Sequence, residues 1–334
     1  MIIFEEKNLL KFLFISLILL MCFSCLRKEK EIQNKIDSSY YDNAYRLLDE
    51  GRLDSAFLSF SRIKDLYVPF NDSLNIANCL INMSIIQKDR DDYYGAQETG
   101  LQALDFLKPN IPKHRIYLST NYNNLGAATL NLNDLEKAIS FYNLAIRYSD
   151  DSINTVTYKN NLALCYQKLK KFEKAISIYN EIANVDFVKN TPIEFARVLS
   201  NLARTKWLQN PNYNALPELH EALKIRQQGK DLWGQNASLS HLSDFYVATN
   251  QKKSLIYAES MYEIASRLKS SANMLQALEK LIKLAPADQI KKYFQEYQHL
   301  CDSIQQARAA AKNQFALIRY EVEKNKADNL RLEK

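Results

Sequence analysis

Asn82, Asn124, Asn161 and Asn201 recur at intervals of 42, 37 and 40 residues, each directly before a Met or a Leu, and His241 takes the same place 40 residues further on. A side-chain amide offers one acceptor and two donors, so a row of amides can satisfy the backbone of an extended peptide whatever its sequence. The same residues could equally bond neighbouring helix backbone or face water. Chemistry that makes or breaks bonds finds less support. The four histidines, His114, His220, His241 and His299, stand isolated. His241 and Asp244 would share a helix face, but two ligands without a third make no metal site. Gly95 and Gly100 have phosphate-loop spacing without the Lys that follows in such a loop, and no Gly-x-Ser-x-Gly is present. The expectation is a non-enzyme without metal or cofactor.

The row of amides needs elements to hold it. Glycine (6) and proline (7) are scarce in 334 residues, which argues for helix, while 47% hydrophobic residues allow a large core. A pattern of a small residue, a large residue four positions on and an apolar residue three further opens at Ala56, Ala138, Ala175 and Ala215, and weaker units with Gly100 or Ala258 in the large place open at Ala96 and Ser254, so that the six openings are spaced by 40, 42, 37, 40 and 39. In the clearest unit Tyr122, Leu125 and Gly126 mark a first helix, and Ala138, Tyr142 and Ala145 one face of a second. Leu162, Ala163, Tyr166, Ala175, Tyr179 and Ile182 mark the next. The prolines agree: Pro69, Pro109, Pro112 and Pro192 fall between units, Pro211 and Pro286 in turns, and Pro217 in the first turn of a helix.

These residues resemble the signature of the tetratricopeptide repeat (TPR), a helical hairpin of roughly 34 residues. The resemblance implies an all-α solenoid of six to seven hairpins over residues 37–304, whose first helices line a concave surface. Residues 272–304 would form a degenerate seventh unit. On that surface the implied peptide-binding residues are Asn82, Asn124, Asn161, Asn201 and His241. Trp207 is the best single anchor, because Trp is enriched at binding hot spots; packing between units is its other reading. Leu164, Arg204 and Asp244 would lie nearby on the same helices. Cations are not concentrated at the groove positions, so the two-carboxylate clamp of chaperone-binding TPR proteins is not expected.

Both ends carry further signals. Residues 12–23 form an apolar run preceded by Lys7 and Lys11 and followed by Ser24 and Cys25. Twelve residues are too few to span a bilayer comfortably, and the arrangement reads as a secretory signal over residues 1–24. It resembles the lipobox of bacterial lipoproteins, which implies acylation of Cys25, although Cys22 and Phe23 stand where Leu and a small residue are usual. A linker over 25–36 would follow. Cys79, Cys165 and Cys301 have no framework spacing and read as free thiols on apolar helix faces. A charged helix is expected over 305–334, with a thin stripe of Phe315, Ile318, Val322 and Leu330 through which a second copy could pair. The stretch AKNQFALIRYE from Ala311 to Glu321 resembles the linker of bacterial regulators in which an exported TPR array leads through one membrane span to a helix-turn-helix domain. That resemblance implies the sensory half of an envelope signalling protein, anchored in an inner or outer membrane by its lipid. The alternative is a lipid-anchored structural adaptor. The net charge of +6 is scattered and forms no basic stripe, so no nucleic-acid partner is expected.

Overall fold

The computed structural model describes residues 40–332, with side chains as far as Phe315 except at 311 and 314. The signal peptide, Cys25 and the whole 25–36 linker lie outside the described residues. Within them the chain is helical throughout, with no strand. Residues 40–49 form α1. There follow α2 (Leu53–Tyr67), α3 (Ser73–Asp89), α4 (Tyr93–Leu104), α5 (Pro112–Asn131), α6 (Leu135–Tyr148), α7 (Ser152–Lys168) and α8 (Phe172–Ala183). A short α9 (Asp186–Asn190) precedes α10 (Pro192–Gln209), α11 (Leu216–Gln228), α12 (Leu232–Tyr246), α13 (Gln251–Arg267), α14 (Ser271–Leu284) and α15 (Ala287–Leu332). No described helix is long and apolar enough to cross a membrane.

The described chain divides into two compact units between Met83 and Ser84, inside α3. In the first, Ala56, Phe60 and Ile63 of α2 are buried, and Tyr41, Tyr45 and Phe60 form an aromatic cluster. In the second, consecutive helices pack as antiparallel pairs. The positions that open each second helix are sealed: Ala138, Ala175, Ala215 and Ser254 have no exposed surface. Burial also pushes the thiol of Cys165 up to about 11, which keeps it protonated and inert. In the first unit burial does the same for Cys79, up to about 12.

Two hairpins are closed by the same local chemistry: a residue in the left-handed conformation ends the first helix, and a carboxylate one position later caps the second. Asp91 (φ 60°) precedes Asp92, whose side chain accepts from Gly95 N–H, and Asn133 (φ 63°) precedes Asp134, which accepts from Lys137 N–H. The left-handed turn recurs at Lys170, Lys230 and Lys269, with φ of 58°, 54° and 52°, and of the residues that follow these three only Asp231 caps with its side chain. The step from Lys170 to Lys230 is 60 residues, about one and a half repeats, against 42, 37 and 39 elsewhere. That step spans α8, α9, α10 and α11, where the other steps span two helices each. Beyond α10 the tight turn joins α11 to α12 and α13 to α14, between the pairs that the sequence pattern marks.

In the α5/α6 pair the helices approach closely at Gly126 of α5. A Cβ built there would lie 2.8–3.0 Å from three ring atoms of Tyr142 on α6, and Tyr142 is itself only 1% exposed. The ring has nowhere to go, so the gain in helix propensity from Gly126→Ala is outweighed by overpacking. Gly126→Ala should lower the unfolding free energy by about 1–3 kcal/mol, read from the midpoint of a urea titration. A midpoint that rises would show that the ring yields.

Candidate peptide-binding groove

The first helices α3, α5, α7 and α10 carry the recurrent amides and α12 carries His241, and in the second unit side-chain bonds link these helices sideways. Asn124 Nδ2 donates to Ser84 Oγ at 2.7 Å, and that hydroxyl donates to the carbonyl of Ala96 at 2.6 Å. Asn161 Nδ2 donates to Asn123 Oδ1 at 3.1 Å, and Asn201 Nδ2 to Asn160 Oδ1 at 3.0 Å. Gln167 donates to Thr205 Oγ1 at 2.6 Å and accepts from Arg204 at 2.7 Å. Asn121 of α5 extends the same pattern to the preceding pair, donating to the carbonyl of Gly100 on α4 at 2.7 Å.

The recurrent positions are therefore not equivalent. Asn124 lies beneath the surface, only 4% exposed, with its donor used on Ser84. Asn161 and Asn201 are half-buried, with one donor used and the rest of the amide without a protein partner. Asn82, in the first compact unit, bonds back to the carbonyl of Asn78 at 2.9 Å and reaches Tyr45 Oη at 3.4 Å. Trp207 is half-buried against Phe245, ring centres 5.4 Å apart, so it packs between α10 and α12 and presents only part of its surface.

The strongest electrostatics lie at the α10, α12 and α14 end. Asp244 is paired with Arg204 at 3.4 Å and with Lys280 in a shorter contact, two cations on flanking helices sharing one carboxylate. His241, one turn before Asp244, has its Nδ1 covered and without a hydrogen-bond partner. Burial, and then Arg204, Arg226 and Lys280, hold its pKa well below the ordinary histidine value, so the ring is neutral at pH 7. Lys280, Gln167 and Thr205 were not legible as site residues. The signal was there: the bonded pairs 167/205, 204/244 and 244/280 lie 38, 40 and 36 residues apart, the repeat length again. No group of three or more His, Cys, Asp or Glu is gathered among the described residues.

Paired antiparallel helices, sealed small residues and a polar strip on the first helices define a TPR-type helical-repeat protein, and residues 117–186 match the tetratricopeptide repeat family. Among solved structures the chain is similar to the apo form of RapI, at 13% identity and a TM-score of 0.62 over 85% of this chain and 98% of that one. It is similar to a Rap protein complexed with competence and sporulation factor, at 10% identity and a TM-score of 0.60 over 80% and 75%. It is also similar to the Rap conjugation gene regulator of the plasmid pLS20 in complex with the Phr* peptide, at 11% identity and a TM-score of 0.57 over 79% and 73%. At these identities the likeness is one of fold. No curated protein matches the sequence.

The depressed pKa of His241 has a stability consequence. Folding favours the neutral ring, so unfolding takes up a proton once the pH is below the free value of about 6.5. The contribution is fully present above that pH and is lost as the pH falls below it, at up to about 1.4 kcal/mol per unit. Urea titrations at pH 7.5 and pH 5 should show a larger loss for the wild type than for His241→Gln. Equal losses would mean that the ring is protonated without strain in the folded chain.

Proposed function

We propose that this chain is an exported peptide- or protein-binding module, held in the bacterial envelope by a lipid on Cys25, and that it is the sensory part of an envelope signalling protein. The observation that carries the binding part is the strip of partly exposed polar side chains along successive first helices, Asn161, Asn201, Arg204 and Asp244. A peptide laid along it would meet a donor or acceptor about once per pair, which is what recognition through backbone groups requires. Two of the neighbours of like fold are described as complexes, one with a peptide and one with competence and sporulation factor. The envelope and signalling parts rest on the sequence features around Cys25 and Ala311–Glu321.

Asn161 and Asn201 are the amides to remove, because Asn124 is structural. A peptide selected from a displayed random library against the wild type should bind Asn161→Ala/Asn201→Ala at least tenfold more weakly, a loss of about 1.4 kcal/mol or more, with helicity unchanged by circular dichroism. Unchanged affinity in the folded double variant would remove the amides from the site. An alkyne-tagged fatty acid fed to cells should label the wild type and leave Cys25→Ala unlabelled. Label on both would place the lipid elsewhere, and label on neither would leave the chain without an acyl anchor.

A further inference from the structure

The last helix touches the array at two separated places. Its first turns seat Tyr293, Tyr297 and Leu300 against a cluster of Leu278, Leu281 and Leu284 of α14 and Ala258 of α13. Tyr262 of α13 donates to Glu296 at 3.0 Å. Beyond Leu300 the support thins out: Asp302, Ser303 and residues 305–307 are exposed. The helix is then held again. Arg308 Nε lies 3.2 Å from the carboxylate of Asp91, and Arg308, Ala309 and Lys312 line a recess of about 210 Å³ with Asp91, Asp92, Tyr93, Tyr94 and Leu132. Asp91 and Leu132 belong to the turns of the α3/α4 and α5/α6 pairs, so α15 leaves the last pair and is seated on turns near the start of the same compact unit. Phe315, seven residues after Arg308 and therefore on the same helix face, has no exposed surface.

We propose that α15 is a detachable clasp, that the surface formed by Asp91, Tyr93, Tyr94 and Leu132 is its seat, and that release from this seat is a movement by which the chain reports the state of its array. The charges match: the seat presents carboxylates, and the helix presents Arg308 and Lys312. Tyr93 donates to Asp91 and so fixes the carboxylate that Arg308 meets. The strength is that of a reversible contact. Arg308 is 49% exposed, and ion pairs so exposed hold weakly. One recess and one buried ring add enough to favour the seated state without locking it, so a modest differential interaction can shift the population. The inference concerns α15 alone and stands whether or not the groove binds a peptide.

The test is a charge swap on the full chain. Position 91 lies in the left-handed turn that Lys occupies at 170, 230 and 269, so Asp91→Lys keeps the backbone. Asp91→Lys and Arg308→Asp should each make the bond after Lys312 roughly fivefold more susceptible to trypsin, followed by mass spectrometry. The double variant Asp91→Lys/Arg308→Asp should return to within about twofold of the wild type. Circular dichroism on all four proteins separates release of the clasp from loss of the fold. Equal cleavage rates in all four would overturn the seat. Fast cleavage in the singles without recovery in the double would overturn the Asp91–Arg308 pairing that defines it.

Discussion

Everything in this molecule depends on helices of a pair coming closer than ordinary side chains allow. Gly126 against the ring of Tyr142 is one such place, and Ala138, Ala175 and Ala215 are sealed without any exposed surface. The large residue fills the contact with its own partner helix and reaches the next pair as well. Tyr142 is packed in a cluster with Leu162 and Cys165 of α7, and Tyr179 in one with Val198 of α10. The buried aromatics thus pack both within a pair and against the next one, and stability is shared between neighbours.

That arrangement leaves one face of each first helix without apolar cover. Its polar groups are partly buried by their neighbours, and a buried donor without a partner is costly. The sideways bonds from Asn161 to Asn123, from Asn201 to Asn160 and from Gln167 to Thr205 answer that cost, and they fix the register of one pair on the next. Each amide has more bonding capacity than one neighbour uses, and that spare capacity is what the proposed recognition of a peptide draws on. The deeper member, Asn124, is spent on Ser84, and the shallower ones keep donors and acceptors open.

The second-helix pattern was legible in sequence because sealing demands a small residue at a fixed place, and Ala56, Ala96, Ala138, Ala175 and Ala215 announce it. The amide row was legible as a row, but not its depth. Whether Asn124 sits 4% exposed or on the surface is set by Ser84 and by the curvature between pairs, which no local pattern encodes. The change of turn register after α10 was hidden because the left-handed positions 170 and 230 are both Lys, a residue type that does not mark such a turn as glycine would. The seat of α15 was hidden for a simpler reason: Asp91 and Arg308 belong to no shared repeat, so periodicity has nothing to say about them.

Asp244 ties these parts together. One carboxylate held between Arg204 of α10 and Lys280 of α14 joins three successive first helices, beside a histidine that folding keeps neutral. The two cations exceed the one anion, so an anionic group entering from the groove is attracted and competes with Asp244 for Lys280 or Arg204. Lys280 lies on α14, and α14 supplies Leu278, Leu281 and Leu284, the apolar bed on which the base of α15 is seated. Lys280 and the apolar bed of α15 thus share one helix, so the Asp244 ion pairs and the base of α15 are joined by direct packing through α14.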